Sequence, residues 1–90
     1  MTMSLLLSDL PNGAPATVVA LQAGAMDIGE QALRRLAELG FFPGEPVQVL
    51  RRGPGGREPL AVRVGDAVFA LRLAEALCVS VLPDGGPPQP

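Results

Sequence analysis

The stretch that most constrains the fold is DIGEQALRRLAELGFFPG, at residues 27–44. At about 100° per residue, its apolar side chains fall on one side of a helix: Ile28, Ala32, Leu33, Leu36, Ala37 and Leu39. Asp27 and Glu30 have the spacing of a capping box at the start, and Gly40 followed by Pro43-Gly44 ends the helix. The stretch therefore predicts an amphipathic helix of about three turns whose leucine stripe packs on the rest of the chain.

The remainder of the sequence predicts short strands joined by turns. The predicted strands cover residues 16–22, 45–52, 60–64, 67–71 and 78–82. Gly65-Asp66 has the composition of a type II′ hairpin turn, whose first central residue needs a positive φ. Residues 53–59, GPGGREP, predict a mobile loop, and residues 72–77 have room for one helical turn. This layout is mainly β with one inserted α-helix, a small SH3-like β-barrel of about five strands.

Alternation along these runs predicts the core. The side chains expected to point inward are Val47, Val49, Leu60, Val62, Val64, Phe69, Leu71, Val79 and Val81. Cys78 is expected to be a half-buried small apolar residue. Residues 1–15 predict a leading arm and a tight turn, and residues 83–90, PDGGPPQP, predict a disordered tail. One domain over residues 1–82 follows.

Composition excludes several classes of protein. The net charge is −2, with seven arginines and no lysine or histidine, so no basic excess is available for nucleic acid or an anionic membrane. One cysteine excludes an internal disulfide and, without histidine, leaves no set of soft ligands for zinc. No basic, apolar signal segment and no apolar run of about 20 residues occurs, so a cytoplasmic protein without membrane insertion is expected.

Catalytic chemistry has few candidate groups in this chain. Histidine, tyrosine, lysine and tryptophan are all absent, and no two carboxylates recur at a spacing that aims them at one point. Capping accounts for Asp27 and Glu30, and the glycines of residues 53–56 lack the Lys-Ser/Thr ending of a phosphate loop. We therefore expect no enzyme, no catalytic residue, no metal site and no cofactor.

A protein-binding surface is the remaining hypothesis. Of the neighbouring rings Phe41 and Phe42, one is expected to pack against the barrel, while the other, Phe42, is exposed beside the loop at residues 53–59. Arginines flank that loop and could bind an acidic partner, although a solvated rim is the alternative interpretation. The predicted partner-binding residues are Phe42, Arg51, Arg52 and Arg57.

RLAELGFFPG at residues 35–44, followed by VQVLRR at residues 47–52, resembles the signature of the FeoA family, the small proteins of ferrous iron transport. The resemblance continues in SDLPNG at residues 8–13 and PLAVRV at residues 59–64. It implies a cytoplasmic SH3-like accessory protein of bacterial ferrous iron uptake. It also implies a partner, the membrane transporter FeoB, whose cytoplasmic portion carries a GTP-binding domain.

Metal-dependent repressors carry a related C-terminal barrel, and this resemblance leaves an alternative open. The chain could be a detached SH3-like regulatory domain that binds a transition metal or a peptide. Ninety residues leave no room for a DNA-binding domain beside the barrel. The FeoA resemblance implies a pathway and a partner but no catalytic residue.

Overall fold

The computed structural model describes residues 5–22 and 29–84. Within these residues the elements are β1 (Leu5–Leu6), β2 (Pro15–Leu21), α1 (Glu30–Leu39), β3 (Pro46–Gly53), β4 (Arg57–Val64), β5 (Ala67–Leu71), α2 (Leu73–Ala76) and β6 (Val79–Pro83). Short 3-10 turns lie at Leu7–Asp9 and Pro54–Gly56. All strands pair antiparallel in one sheet of order β1-β6-β2-β3-β4-β5. The predicted mainly β fold with one inserted helix is confirmed.

α1 packs through the predicted leucine stripe. Leu36 is fully buried, and Leu33 and Leu39 pack against the core from its margin. The helix ends at Gly40, whose φ of 114° is the left-handed conformation that only glycine adopts without strain. The predicted capping box is not formed as expected, because Glu30 is the first helical residue and Gly29 the N-cap. Asp27 and Ile28 lie outside the described residues.

The core lies along β2, β3, β4 and β6. Every position predicted to point inward from β3 and β4 is buried: Val47, Val49, Leu60, Val62 and Val64. The β4–β5 hairpin closes at the predicted two-residue turn, where Gly65 has a φ of 57°. Cys78 is more buried than expected, with no exposed surface, and its Sγ lies 3.3 Å from the carbonyl oxygen of Ala74.

The leading arm is part of the sheet, which sequence did not predict. Leu5 pairs with Val81 and makes β1 an additional strand beside β6. Leu7 and Leu10, in the turn that follows, are 0% and 2% exposed. Because β6 lies between β1 and β2, both of its edges are paired within the sheet, and Ser80 within it is buried. The expectation of about five strands thus becomes six in the described residues.

The prediction of a mobile loop over residues 53–59 is wrong for most of its length. β4 already begins at Arg57, and only the 3-10 turn Pro54–Gly56 separates it from β3. A Cβ on Gly53 would lie 2.3 Å from the carbonyl oxygen of Glu58, so the two strands approach closely because this residue has no side chain. The hairpin is therefore tight.

β6 extends to Pro83, which pairs with Ala16. The amide of Asp84 donates a 3.0 Å hydrogen bond to the Pro15 carbonyl, and the Thr17 hydroxyl donates one of 3.0 Å to the Asp84 carboxylate. The sheet thus extends one residue beyond the expected boundary at residue 82, and Asp84 in the following turn is hydrogen-bonded to β2. Residues 85–90 lie outside the described residues, so the disordered tail stays a prediction.

Candidate partner-binding site

An open groove of about 650 Å³ lies between the first 3-10 turn, the β3–β4 connection and α2. It is lined by Ser8, Arg52, Pro54, Gly56, Arg57, Glu58, Leu60, Leu73 and Ala74. Three separate parts of the chain therefore form its walls. We call it the α2 groove.

Arg52 fixes the N-terminal wall of the α2 groove. Its Nη2 donates hydrogen bonds of 2.9 Å to the carbonyl oxygens of both Ser8 and Leu10, and its Nη1 donates to the side-chain oxygen of Asn12. The same turn is held from β3 a second time, since Gln48 Nε2 donates a 2.6 Å hydrogen bond to the Gly13 carbonyl. A planar guanidinium suits this task because its donors lie in a rigid fork.

The opposite wall, α2, is held by carboxylates. Glu58 Oε1 accepts a 2.5 Å hydrogen bond from the amide of Leu73, at the first turn of the helix. Glu75 accepts a 2.9 Å hydrogen bond from the amide of Arg72 and forms an ion pair with Arg35 of α1. The two carboxylates thus accept hydrogen bonds from backbone amides at the N-terminal end of the short helix, where the amides lack partners within the helix and a negative charge is favourable. α2 is thereby tied to β4 and α1.

Two side chains of the α2 groove, those of Arg57 and Leu73, are exposed and accessible to a ligand. Arg57 is exposed, and its side chain forms no hydrogen bond or ion pair with the described residues. Leu73 is 44% exposed, while Leu60 forms an apolar, buried part of the lining. The Oγ of Ser8 is buried and has no hydrogen-bond partner in the described part of the chain. The groove can thus accept an apolar side chain beside a hydrogen-bonding or acidic group.

Phe42 is exposed, as predicted, but it lies away from the α2 groove. Phe41 has no exposed surface, whereas Phe42 is 51% exposed. Phe42 lies shortly before the start of β3 at Pro46. The chain is held beside β2 at this point, because the amide of Gly44 donates a 2.8 Å hydrogen bond to the Val18 carbonyl. Arg52 is six positions along β3 from Pro46, about 20 Å at the usual rise per residue. The expectation that Phe42 lies beside the Gly-rich connection is wrong.

The four predicted partner-binding residues therefore do not form one patch. Arg52 and Arg57 line the same groove, Arg51 is an exposed residue of β3, and Phe42 lies near the other end of that strand. Sequence also missed Leu73 as a groove residue, although its place in a single helical turn flanked by charged residues was an available signal. No group of three or more acidic or cysteine side chains gathers within residues 5–22 and 29–84.

Comparisons with known proteins agree with this fold. A family model described as the FeoA domain matches residues 5–83. The chain belongs to the FeoA family. A solved Stenotrophomonas maltophilia FeoA is 46% identical, with a TM-score of 0.72, over 86% of this chain and 88% of that one. It was solved with zinc and is described as an SH3-domain protein proposed to act as a bacterial ferrous iron transport activating factor.

A second solved FeoA, described as an iron uptake regulatory protein, is 30% identical over 88% of this chain and 96% of that one, with a TM-score of 0.71. A manganese-dependent transcriptional repressor has a TM-score of 0.76 at 22% identity and shares the fold, with 92% of this FeoA-family chain covering 43% of the repressor. No match is found among curated proteins. None of the helices in the described ranges is long and apolar enough to cross a membrane.

Proposed function

We propose that this chain is a non-enzymatic accessory factor of bacterial ferrous iron uptake, acting in the cytoplasm by binding the cytoplasmic portion of a FeoB-type transporter. The observation that carries this proposal is the 46% identity, over 86% of the chain, to the Stenotrophomonas FeoA proposed as an activating factor. An activating factor must contact the transport machinery directly or through another protein. The transporter's GTP-binding domain is the part that a protein acting in the cytoplasm can reach.

The α2 groove is the surface that we assign to this contact. It combines an exposed leucine with an exposed arginine whose side chain has no partner among the described residues, on walls that are already fixed by hydrogen bonds. Fixed walls lower the ordering cost of binding, and an arginine next to an apolar side chain is a common arrangement in protein interfaces. Arg57 and Leu73 are the proposed contacts in this groove.

Phe42 and Arg51 are proposed as further contacts, separate from the α2 groove and from each other. Phe42 is a phenylalanine with about half of its surface exposed, and exposed aromatic residues of this kind often anchor interfaces. Arg52 has a different proposed role, because all three of its observed hydrogen bonds hold the N-terminal turn. It positions the groove wall, and an interface role for its side chain stays a prediction.

The test is an affinity measurement against the isolated cytoplasmic domain of the cognate FeoB transporter, with and without guanine nucleotide. Leu73→Ala and Phe42→Ala should each weaken binding about tenfold or more if the ring and the leucine are anchors. Arg57→Ala should weaken it less and mainly at low salt. Arg63→Ala is the matched control, since Arg63 is also an exposed arginine of β4 but lies outside the α2 groove.

Each outcome of this measurement tests a different part of the proposal. No binding by the parent chain in either nucleotide state would refute the transporter as the direct partner. Binding that is unchanged by Leu73→Ala and Arg57→Ala would remove the α2 groove from the interface. A loss with Arg63→Ala as large as with Arg57→Ala would show a diffuse charge effect instead of a specific contact.

A further inference from the structure

β5 is an edge strand whose outer side pairs with no other strand of the described residues. At the opposite edge of the sheet, β1 has only two residues. β5 has five, AVFAL, without a charge or a proline, and its pairing with β4 contains no bulge. Natural proteins usually protect a long apolar edge with charges, prolines, bulges or a covering element. Within residues 5–22 and 29–84 this edge has none of these, which favours a partner strand.

The register of the hairpin identifies the free backbone groups. Val64 and Ala67 flank a two-residue turn, so they form the hydrogen-bonded pair that closes it. Hydrogen-bonded and non-hydrogen-bonded positions alternate along an antiparallel ladder. The amides and carbonyls of Val68 and Ala70 therefore point away from β4, and no other backbone hydrogen bond involves them in the described chain.

The side chains of the same positions are exposed as well. Val68 has 53% of its surface exposed, and Ala70 is also exposed. Phe69, on the other face, is only partly buried and packs against the margin of the core. A strand added beside β5 would cover apolar surface on both faces and satisfy the outward backbone groups.

We propose that the occupant of this edge is β5 of a second copy of the chain, paired antiparallel about a two-fold axis at Phe69. In this register Val68 pairs with Ala70 of the second copy, and Ala70 with Val68. Two such pairs, each exchanging two hydrogen bonds, give about four across the axis. The two Phe69 rings then face each other in the closer, non-hydrogen-bonded position. The two sheets become one continuous sheet.

The neighbouring registers leave backbone groups without partners. With the axis at Val68, the backbone of Ala70 in one copy would have to pair with that of Asp66 in the other, and Asp66 lies in the hairpin turn. With the axis at Ala70, the backbone of Val68 in one copy would have to pair with that of Arg72 in the other, but the Arg72 amide already donates to Glu75. The Arg72 carbonyl is also occupied, because it accepts 3.0 Å hydrogen bonds from the amides of Glu75 and Ala76. Only the register centred on Phe69 uses every free group.

Charge complementarity favours a second copy over an unrelated strand. The register places Asp66 opposite Arg72 of the second copy and, by symmetry, Arg72 opposite Asp66. Both residues are exposed, and no charged residue lies between them. Opposite charges that face each other across antiparallel strands stabilise the pairing, whereas like charges oppose it. The edge is thus complementary to itself in charge and in hydrogen bonding.

The experiment is sedimentation equilibrium of the full chain from about 10 µM to 1 mM, at low salt, with charge and edge variants. The parent should show reversible dimerisation. Arg72→Asp and Asp66→Arg should each raise the dimer dissociation constant about tenfold, because each creates two like-charge pairs. The double variant, which exchanges the two charges, should recover most of the loss. Arg34→Asp on α1 is the charge-matched control and should dimerise as the parent does, because Arg34 is exposed and lies outside the sheet.

Ala70→Pro provides an independent test. It removes an outward amide that β4 does not use, and edge strands tolerate proline at such positions. It should abolish the dimer while keeping a cooperative melt. A parent that stays monomeric to 1 mM, a dimer that survives Ala70→Pro in its folded form, or a double charge variant that dimerises no better than the singles would each overturn the proposal. If Ala70→Pro does not fold, the charge exchange decides alone.

Discussion

Arg52 should contribute more to stability than any other arginine of the described chain, although its neighbour Arg51 looks equivalent in sequence. Its guanidinium holds the carbonyl oxygens of Ser8 and Leu10 and the side chain of Asn12. Arg51 is exposed and makes none of the side-chain hydrogen bonds found in the described residues. Removing either arginine changes the net charge equally, so the comparison isolates the hydrogen bonds.

The expected loss follows from the contacts. A hydrogen bond to a charged group contributes about 1.5 to 3 kcal/mol when buried, and these are only partly buried. We therefore expect Arg52→Ala to lower the free energy of unfolding by about 2 to 4 kcal/mol, a large part of the total for a domain of this size. Arg51→Ala should change it by less than about 0.5 kcal/mol. Arg52→Lys should recover only part of the loss, because an ammonium cannot reproduce the fork.

The assay is urea unfolding followed by far-UV circular dichroism, with the midpoint and slope fitted together. A change of 2 to 4 kcal/mol corresponds to roughly 10 to 25 °C in melting temperature for a domain of this length. Equal stability of Arg52→Ala and Arg51→Ala would refute the reasoning. In that case the hydrogen bonds at the N-terminal turn would contribute nothing net, and Arg52 would become a candidate for the partner interface again.

Other predictions concern the core and the C-terminus. Phe41→Ala removes a ring with no exposed surface and should cost about 3 to 5 kcal/mol, and Leu36→Ala about 2 to 5 kcal/mol, both measured by denaturant unfolding. Phe42→Ala should cost less than about 1 kcal/mol in the same assay, and a larger cost would place its ring in the core. A chain that ends at Asp84 should melt as the full chain does, whereas one that ends at Leu82 loses the last β6 pairing and the Asp84 hydrogen bonds and should melt several degrees lower. Identical melts of the two truncated chains would contradict a stabilising role for these contacts.

Sequence by itself determined the elements whose signals are local. The period of the leucines predicted α1 and its buried side, and Gly40 predicted the end of the helix. Alternation predicted the inward residues of β3 and β4, and Gly65 predicted a hairpin turn with a positive φ. These predictions succeeded because each depends on the conformation of a few consecutive residues and on which face they bury.

Tertiary structure alone decided the parts that depend on distant contacts. The leading arm became a strand because β6 offered a free edge to Leu5 and Leu6, more than 70 positions away in the chain. Arg52 bonds to the Ser8 carbonyl across 44 positions, which no local pattern encodes. The length of β3 likewise separates Phe42 from Arg57, although the sequence places both near turns. Local preference cannot fix such contacts, since they gain free energy only after the intervening chain has folded back.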